Sequence, residues 1–414
     1  MTTPGWHVLV VGNGRDIPGR LRRSRDDIRV TMMVREEIVG RVREPADNWA
    51  IIGLPRTQPE RWVQYAQLIN SVDPIHAVAN FGEKDQEKFA LICQDLGLRG
   101  PSPETLECVT DKTAMRRRLA EHGLDDTASR MVTTRAEAEE FIAEHGLPAV
   151  LKPAAGLGSA GVTIVSTAAD LDEALTRADA ASDGGAHLII EAFLDGPEWS
   201  VEGFSENGEH AFASITKKFK TEVHCIEYAH VVRAEIDADL ARDVLVYVGR
   251  ALDALGIRDG ITHTEVICTP RGPRLVETHL RPAGDELPEM LRDHYGIDLI
   301  DAIVSQAAGL PALDTVRRQI AAAEDVTEHI AIYYAFPPAA GGVVERITGE
   351  DEARAADGVC GLEVLVGVQD RLDPDALDSD SRTVEVKAVG ATEDEALSRA
   401  RHAAELVRFE VIRP

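Results

Sequence analysis

Short apolar runs alternate with amphipathic stretches over the first hundred residues of the chain. Residues 84–96 carry apolar side chains at helical spacing and are followed by Gly97, a residue that commonly ends helices. Strands that alternate with helices in this way form parallel sheets. The pattern therefore predicts a parallel-sheet α/β domain over residues 1–100, with a boundary at Gly100–Pro103. Its strands are predicted at 6–11, 29–34, 49–52 and 75–80.

Further along, two β-prone runs at 261–268 and 274–279 flank a cluster of turn-forming residues at 269–273. This arrangement predicts an antiparallel hairpin. If the hairpin closes symmetrically about Arg271, strand alternation sorts its side chains onto two faces. One face is largely packable and carries Thr264, Val266, Val276, Thr278 and Leu280.

The other face of the predicted hairpin is charged. Glu265 then lies opposite Glu277, and His263 lies opposite His279, with Arg281 just beyond them. Directly opposed carboxylates repel each other unless a cation lies between them. Hard oxygen ligands beside a guanidinium suggest Mg²⁺ holding a phosphate-rich substrate. The alternative is an ordinary surface hairpin with solvated charges, because a one-residue slip in register would scatter this face.

A glycine-rich loop upstream favours phosphate binding. A strand that ends at Lys152 leads into Gly156, Gly158, Ser159 and Gly161, and a second strand follows at 162–165. Backbone N–H groups of such a loop can wrap around phosphates. The loop is not a Walker A sequence, since no Gly-Lys-Ser/Thr follows it. A long flexible hairpin is the alternative interpretation.

A lysine in the first turn of a predicted helix is a second candidate for anion binding. The helix begins near Thr110-Asp111, either of which can cap it, and ends at Gly123. Lys112 in its first turn opposes the helix dipole. The side chain of Lys112 is therefore either solvated or directed at an anion.

Composition narrows the classes of function. The chain has 414 residues and 44% hydrophobic residues, which is enough for several packed domains. Its net charge of −27 argues against nucleic-acid or anionic-membrane partners. Five dispersed cysteines are typical of reduced, intracellular thiols. With neither a leader-like segment nor a long apolar span, the sequence predicts a soluble cytoplasmic protein.

Taken in order, these segments resemble the ATP-grasp carboxylate–amine ligases, and among them most closely the bacterial L-amino acid ligases, with biotin carboxylase next. The resemblance covers most of the chain and is most specific in TDK at 110–112, VLKPAAGLGSAGV at 150–162, IIEAFLDGPEWSVEG at 189–203, and THTEV and LVETHLRPAGD within 262–285.

The resemblance implies an ATP-grasp fold of mixed α/β and α+β class. Its expected parts are an N-terminal parallel-sheet domain, a mobile lid subdomain and a C-terminal antiparallel-sheet domain. The corresponding bounds are 1–100 for the first domain, 101–313 for the ATP-grasp domain with a lid at about 125–195, and 314–414 for the C-terminal ligase subdomain.

The resemblance also implies site residues. The expected ATP-binding residues are Lys112, Lys152, Gly156, Gly158, Ser159, Gly161, Glu191, Phe193, Leu194 and Glu198. Glu265 and Glu277 are expected to hold Mg²⁺. The family usually has asparagine where this chain has His279, and imidazole suits softer ions better than Mg²⁺. His279 therefore either binds Mn²⁺ or Mg²⁺ weakly, or contacts substrate, or leaves the second metal to be held differently.

The implied reaction joins two amino acids through an acyl-phosphate, with release of ADP and phosphate. Arg281 and Lys152 are the expected catalytic residues. The expected substrate-binding residues are Lys218, Glu227, His230, Arg281 and Gly284. For Lys218, Glu227 and His230, structural ion pairs are an alternative. Rival functions are a carboxylase or formate-using ligase of the same superfamily, or a catalytically silent nucleotide-binding module. Relatives in the family are commonly dimers, so a homodimer is possible.

Overall fold

The computed structural model describes residues 5–14, 16–154, 158, 160–181, 187–339, 341–374 and 378–412, and within them the strands form four sheets. The first sheet is parallel, as the sequence predicts. Its strands are β1 (His7–Val11), β2 (Arg29–Arg35), β3 (Ala50–Leu54) and β4 (Ala77–Ala79), in the order β3-β2-β1-β4. Helices α1 (Ile17–Ser24), α2 (Pro59–Val72) and α3 (Gln86–Leu96) accompany it.

The first sheet is apolar on both faces because helices cover both. Val8 and Val10 point into one hydrophobic cluster with residues of α1 and α10 (Leu299–Ala307), whereas Leu9 and Val11 pack in another with Trp62 of α2. This is why the strands are continuous hydrophobic runs rather than alternating ones. The carboxyl end of β4 leads into the segment that reaches the cavity described below.

A smaller antiparallel sheet follows, with the order β5-β8-β6-β7. Its strands are β5 (Ser129–Val132), β6 (Ala149–Pro153), β7 (Thr163–Val165) and β8 (Leu188–Ala192), and the helices of this region are α4 (Pro103–Thr110), α5 (Lys112–Glu121), α6 (Arg135–His145) and α7 (Leu171–Ala181). Phe141 and Leu171 pack against the sheet in its own hydrophobic cluster.

The largest sheet is antiparallel and contains strands from both the middle and the end of the chain. They are β9 (Glu198–Glu206), β10 (Glu209–Lys220), β11 (Glu227–Val232), β12 (Gly260–Thr269), β13 (Gly272–His279), β14 (His329–Ala335), β16 (Val359–Val364) and β18 (Val384–Gly390), in the order β13-β12-β9-β10-β11-β14-β18-β16. One sheet therefore crosses the boundary expected at residues 313 and 314, and the domain bounds remain a prediction.

The remaining elements cover this sheet or extend it. The helices are α8 (Ala238–Ala254), α9 (Leu287–Tyr295), α11 (Leu313–Ala322), α12 (Glu350–Arg354) and α13 (Glu393–Leu406). A last antiparallel sheet has the order β17-β15-β19 and consists of β15 (Gly342–Thr348), β17 (Arg371–Leu372) and β19 (Arg408–Ile412). None of the helices in the described part of the chain is long and apolar enough to span a bilayer.

The predicted hairpin is β12–β13, and its register is confirmed where the acidic pair lies. His263 pairs with His279 and Glu265 with Glu277. A β-bulge follows, because Val266 pairs with Leu275 instead of Val276.

The bulge makes one sequence prediction wrong. Leu275 is fully buried in the core, whereas Val276, which we predicted on the packed face, lines the cavity. The backbone at the bulge has other partners. The N–H of Leu275 donates to the Tyr247 hydroxyl at 2.9 Å, and its carbonyl accepts from Arg116.

Candidate active site

A cavity of about 480 Å³ lies where the small sheet, the large sheet and the β12–β13 hairpin meet. Its lining brings together most of the residues that the sequence singles out. From the expected ATP and metal sets, it includes Lys112, Lys152, Gly158, Glu191, Phe193, Leu194, Glu198, Glu265, Glu277 and His279. From the expected substrate set, it includes Glu227, His230, Arg281 and Gly284.

The opposed carboxylates of the hairpin are each paired with a lysine. Glu277 lies 2.7 Å from the Nζ of Lys112, and Glu265 lies 2.6 Å from the Nζ of Lys218. Burial opposes ionisation of both carboxyls, but the lysine charges outweigh it and hold the pKa of Glu265 and of Glu277 below the usual range. The pair is thus ionised at neutral pH, as metal or phosphate chemistry requires.

Lys112 reaches the cavity because of local capping. The Asp111 carboxylate accepts hydrogen bonds from the backbone N–H groups of Thr113 and Ala114, which makes Asp111 the N-cap of α5. The lysine in the first turn is therefore fixed next to the hairpin. Of the two orientations that the sequence left open, the structure shows the one directed at an anion, the carboxylate of Glu277, with the Lys112 side chain 12% exposed.

A second buried network lies at the β6–β8 side of the cavity. The Nζ of Lys152 is 2.5 Å from one oxygen of Glu191, and the Nε of Arg116 is 2.7 Å from the other. Arg116 also contacts Asp125 at 2.7 Å. Burial lowers the pKa of Lys152 despite the attraction of Glu191, since Lys112 and Arg116 add like charge nearby. Three cations thus converge on this side of the cavity, which favours an anionic ligand.

The expected nucleotide residues differ in how they are placed. Glu198, expected at the ribose, is paired with Lys218 at 3.1 Å and also with Lys220. Gly158 lines the cavity, whereas Gly161, at φ 74°, packs against α7, where a Cβ would lie 2.8 Å from that of Ala181. Gly156 and Ser159 lie outside the described residues.

Lys218 contacts three carboxylates at once. Its Nζ lies 2.5 Å from Glu227 in addition to its contacts with Glu198 and Glu265. Burial disfavours the charge, but the three carboxylates raise the pKa of Lys218 well above its ordinary value. The structural ion-pair alternative for Lys218 therefore describes its observed contacts.

Glu227 and His230 lie close together in the lining of the cavity, and oxygens of Glu227, Glu198 and Glu265 lie within 4.8 Å of one another. The Nε2 of His230 is 2.8 Å from Asp285 and 3.5 Å from Glu227. Asp285 also receives two bonds from Arg382, at 2.7 and 3.0 Å. Burial opposes the charge of Asp285, but His230 and Arg382 hold its pKa below the usual range.

Arg281 and His279 share a carboxylate from the N-terminal sheet. The Oε2 of Glu83 lies 2.5 Å from the Nε of Arg281 and 3.4 Å from the Nδ1 of His279. The Nε2 of His279 lies 3.1 Å from Glu277. Burial disfavours charge on both Glu83 and His279. The charge of Glu277, with a further hydrogen bond to Glu83, nevertheless raises the pKa of His279, and His279 and Arg281 lower the pKa of Glu83 to about 2.

His263 has an orienting partner behind the hairpin. Its Nδ1 lies 3.0 Å from Glu202 and its Nε2 lies 3.2 Å from Glu265. Burial disfavours the charged ring, yet the two carboxylates raise the pKa of His263 to about 10. Its ring stacks on His279 with centroids 5.9 Å apart. These contacts hold the ring of His263 in one orientation.

Sequence reasoning missed Arg116, Glu83, Asp285, Arg382 and Ser379. Glu83 follows the last strand of the parallel sheet, and the carboxyl ends of such strands are where ligands bind in open α/β sheets, so a signal for it existed. Asp285 ends a segment that resembles a family sequence. Arg382 and Ser379 lie in the segment between β17 and β18, and Ser379 lines the cavity.

The donor set fits a hard divalent cation. Glu265 and Glu277 are ionised, face each other across the hairpin and carry only oxygen donors, which Mg²⁺ prefers. Each is now neutralised by a lysine, so the cluster already accommodates positive charge at these carboxylates. His279 is held between two carboxylates and is less suited to such an ion.

Comparisons with known proteins agree with this arrangement. Residues 145–289 match the model of an ATP-grasp domain, and residues 334–411 match the model of the L-amino acid ligase C-terminal domain 2. The chain thus contains an ATP-grasp domain. The C-terminal match and the relatives below make the chain similar to the amino acid ligases, which confirms the resemblance and the fold class.

Three proteins illustrate the likeness. An uncharacterized protein of Sinorhizobium fredii is 30% identical over 310 residues, which cover 73% of this chain and 61% of the relative. Alanine–anticapsin ligase of Bacillus subtilis is 26% identical over 238 residues, covering 52% of this chain and 50% of the ligase. The chain thus spans one half to about three fifths of these relatives' own lengths. The L-amino acid ligase of Bacillus licheniformis has the same fold, with a TM-score of 0.80 at 19% identity, covering 99% of this chain and 100% of that one.

Proposed function

We propose that the protein is an ATP-dependent carboxylate–amine ligase that joins two amino acids and releases ADP and phosphate. The observation that carries this proposal is one cavity whose lining combines two kinds of groups. Lysines lie beside an ionised carboxylate pair, and an arginine, a histidine and further carboxylates line the same cavity. The amino acid ligases among the relatives support the choice of substrate class.

The nucleotide would lie beside Lys112, Lys152 and Arg116. Phe193 and Leu194 follow β8 and would supply apolar surface for the adenine, and Glu198 would receive ribose hydroxyls. Glu265 and Glu277 would hold Mg²⁺ on the phosphates, where its charge neutralises the transferring phosphoryl group. Phosphoryl transfer depends mostly on such positioning and charge neutralisation, which this set of side chains provides.

The first step in the proposed reaction makes the acid reactive. An oxygen of the substrate carboxylate attacks the γ-phosphorus of ATP, and the bond from that phosphorus to the β–γ bridging oxygen breaks, which gives an acyl-phosphate and ADP. Arg281 would hold the carboxylate, since its planar guanidinium matches two oxygens. Glu83, bonded to its Nε, fixes the orientation of Arg281.

The second step forms the amide. The amine nitrogen attacks the acyl carbon, the carbon–oxygen bond to phosphate breaks, and the nitrogen loses a proton. Arg281 would stabilise the oxyanion of the tetrahedral intermediate. Glu227 and His230 lie close together and would receive the amine and its proton.

The test is ADP release by the full chain with Mg²⁺ and a panel of amino-acid pairs, with single amino acids and bicarbonate as parallel arms. Release that requires two amino acids, with a dipeptide or γ-glutamyl-type amide detected by mass spectrometry, is the expected result. Release that requires bicarbonate would instead establish a carboxylase. ATP binding without turnover in any arm would contradict both enzyme functions.

A further inference from the structure

Arg382 comes from the C-terminal part of the chain and forms a buried clamp on Asp285. Its two terminal nitrogens lie 2.7 and 3.0 Å from the two oxygens of that carboxylate. The same guanidinium donates to the backbone carbonyl of Glu227 at 2.7 Å and lies 3.9 Å above the ring of Tyr334. Arg382 is only 6% exposed, so four contacts fix one side chain in one position.

Asp285 connects Arg382 to the side chains that line the cavity. Its Oδ2 is 2.8 Å from the Nε2 of His230, and Glu227 lies 3.5 Å from the same nitrogen. Asp285 has a φ of 54°, in the left-handed region where side chains other than those of asparagine and aspartate are rare. An aspartate can take this conformation, and the bidentate arginine holds it there. The ring of His230 is thereby fixed through a residue that is itself fixed from the opposite side.

The position of the clamp separates it from an ordinary structural ion pair. Asp285, His230 and Glu227 all line the cavity, and Arg382 lies behind them, between the cavity and Tyr334. Arg382 also anchors Glu227 through its backbone, so both proposed amine-receiving residues depend on one guanidinium. The neighbouring Ser379 lines the cavity as well and donates to the carbonyl of Gly158 at 3.4 Å. The segment 378–382 thus contributes directly to the wall of the site.

We propose that Asp285, clamped by Arg382, is a positioning residue that holds His230 beside Glu227 in the geometry that receives the amine substrate. This inference rests on the proposed ligase function and assigns the C-terminal segment a share in it. Its substrate class is the amine-bearing partner, in practice the second amino acid. In the proposed arrangement ATP contacts neither Asp285 nor Arg382, so its KM should not depend on the clamp.

The kinetic test compares Arg382→Ala, Asp285→Asn and wild type. We expect kcat/KM for the amine substrate to fall by roughly 10- to 100-fold in both variants, because small misplacements of a reacting group have costs of this size. The KM for ATP should stay unchanged. Millimolar guanidinium should restore activity to Arg382→Ala, whose cavity fits that ion, but not to Asp285→Asn.

Arg346→Ala is the matched control, since this arginine of the same region pairs with Glu410 on the surface. It should leave every kinetic constant unchanged. Equal losses toward ATP and the amine, without rescue by guanidinium, would show that Arg382 is merely structural and would overturn the inference. Unchanged amine kinetics in Asp285→Asn would overturn it as well.

A second measurement does not need turnover and therefore separates this inference from the ligase proposal. The full chain is labelled with ¹⁵N in its histidine rings, and the signals of His230 are identified by their loss in His230→Asn. We expect the ring nitrogens of His230 to shift in Asp285→Asn and in Arg382→Ala, but not in Arg346→Ala. If wild type fails to turn over any amino-acid pair, the ligase proposal is wrong, and this spectrum still decides whether the clamp positions His230. Unshifted signals would refute the clamp.

Discussion

At the scale of single residues, three acidic side chains of the cavity each form an ion pair with at least one basic side chain. Glu265 pairs with Lys218, Glu277 with Lys112, and Glu191 with both Lys152 and Arg116. Isolated buried charges are very costly, and pairing makes them tolerable without making them strongly stabilising. Such an arrangement is better explained by a need for ionised groups in the cavity than by a need for stability.

Glu277→Gln tests the metal assignment. The amide removes one charged oxygen ligand, so we expect kcat for ADP formation to fall by about 100-fold or more, as for loss of other transition-state electrostatic groups. Circular dichroism should show an intact fold. Glu410→Gln, at an exposed ion pair, serves as the control. Wild-type turnover in Glu277→Gln would refute the assignment.

The residues found from sequence differ from those missed in how far apart their partners lie. Glu265 and Glu277 belong to one hairpin, so strand alternation and a turn were enough to bring them together. Glu83 contacts Arg281 across 198 positions of sequence, and Arg382 contacts Asp285 across 97. Local patterns carry no information about such pairs, because domain packing creates them.

At the scale of elements, the β12–β13 bulge determines which side chains face the cavity. Three residue pairs of the hairpin follow the symmetric register, and the next pair is shifted by one residue. The alternation of apolar and polar residues does not show where a strand carries an extra residue. The bulge exists where the backbone of Leu275 bonds to Tyr247 and Arg116 instead of to its neighbouring strand alone. Those partners come from α8 and α5, which the sequence of the hairpin does not reveal.

Two adjacent truncations test the bulge. Leu275→Ala removes a fully buried side chain and should lower the free energy of unfolding by about 2–5 kcal/mol. Val276→Ala, at the cavity wall, should lower it by less than about 1 kcal/mol. Denaturant unfolding of both variants measures the difference. A hairpin without the bulge would give the reverse order.

Strand β18 carries a carboxyl that should make stability depend on pH. Burial, reinforced by Glu286 and Glu363 and opposed by Lys387, raises the pKa of Glu385 to about 7. A carboxyl with a raised pKa contributes stability that is complete below its unfolded pKa, here 4.5, and is lost as the pH rises through 7.

Glu385→Gln should therefore be more stable than wild type at about pH 8, by about 1–3 kcal/mol, and should differ little from it near pH 5. Denaturant titrations at both pH values measure this difference. The residues paired with Glu385 on the neighbouring strands are Glu363 of β16 and Tyr334 of β14. The variant keeps both, so the difference in stability reports on the Glu385 carboxyl. A difference of equal size at both pH values would contradict the assignment to this carboxyl.

At the scale of the whole molecule, the cavity has walls from four parts of the chain. The small sheet contributes Lys152 and Glu191, the large sheet the acidic hairpin, and the C-terminal segment Ser379, with Arg382 behind it. The loop after β4 of the parallel sheet contributes Glu83, which supports Arg281 in the lining. The parallel class of the first sheet and the antiparallel hairpin followed from sequence patterns, whereas the lid and the C-terminal antiparallel sheet were expected from the family resemblance. The continuation of one sheet from β9 to β16 followed from neither, since sheet order depends on pairings between distant strands.

Glu83→Gln tests the contribution of the N-terminal sheet. Loss of its charge should release Arg281, and we expect kcat/KM for the acid substrate to fall by roughly 10- to 100-fold with little change in the KM for ATP. Glu87→Gln, in the first turn of the adjacent α3, is the control. Equal kinetics in the two variants would show that Arg281 is positioned without Glu83.

The pairing of Lys112 and Lys218 with the hairpin carboxylates should couple the binding of nucleotide and metal. A divalent cation and Lys112 or Lys218 compete for the same oxygens, whereas ATP phosphates offer the lysines new partners. Nucleotide and metal should then strengthen each other's binding by the same factor, since such coupling is reciprocal. Calorimetric titration of Mg²⁺ with and without a non-hydrolysable ATP analogue would measure this coupling, and equal affinities would exclude it.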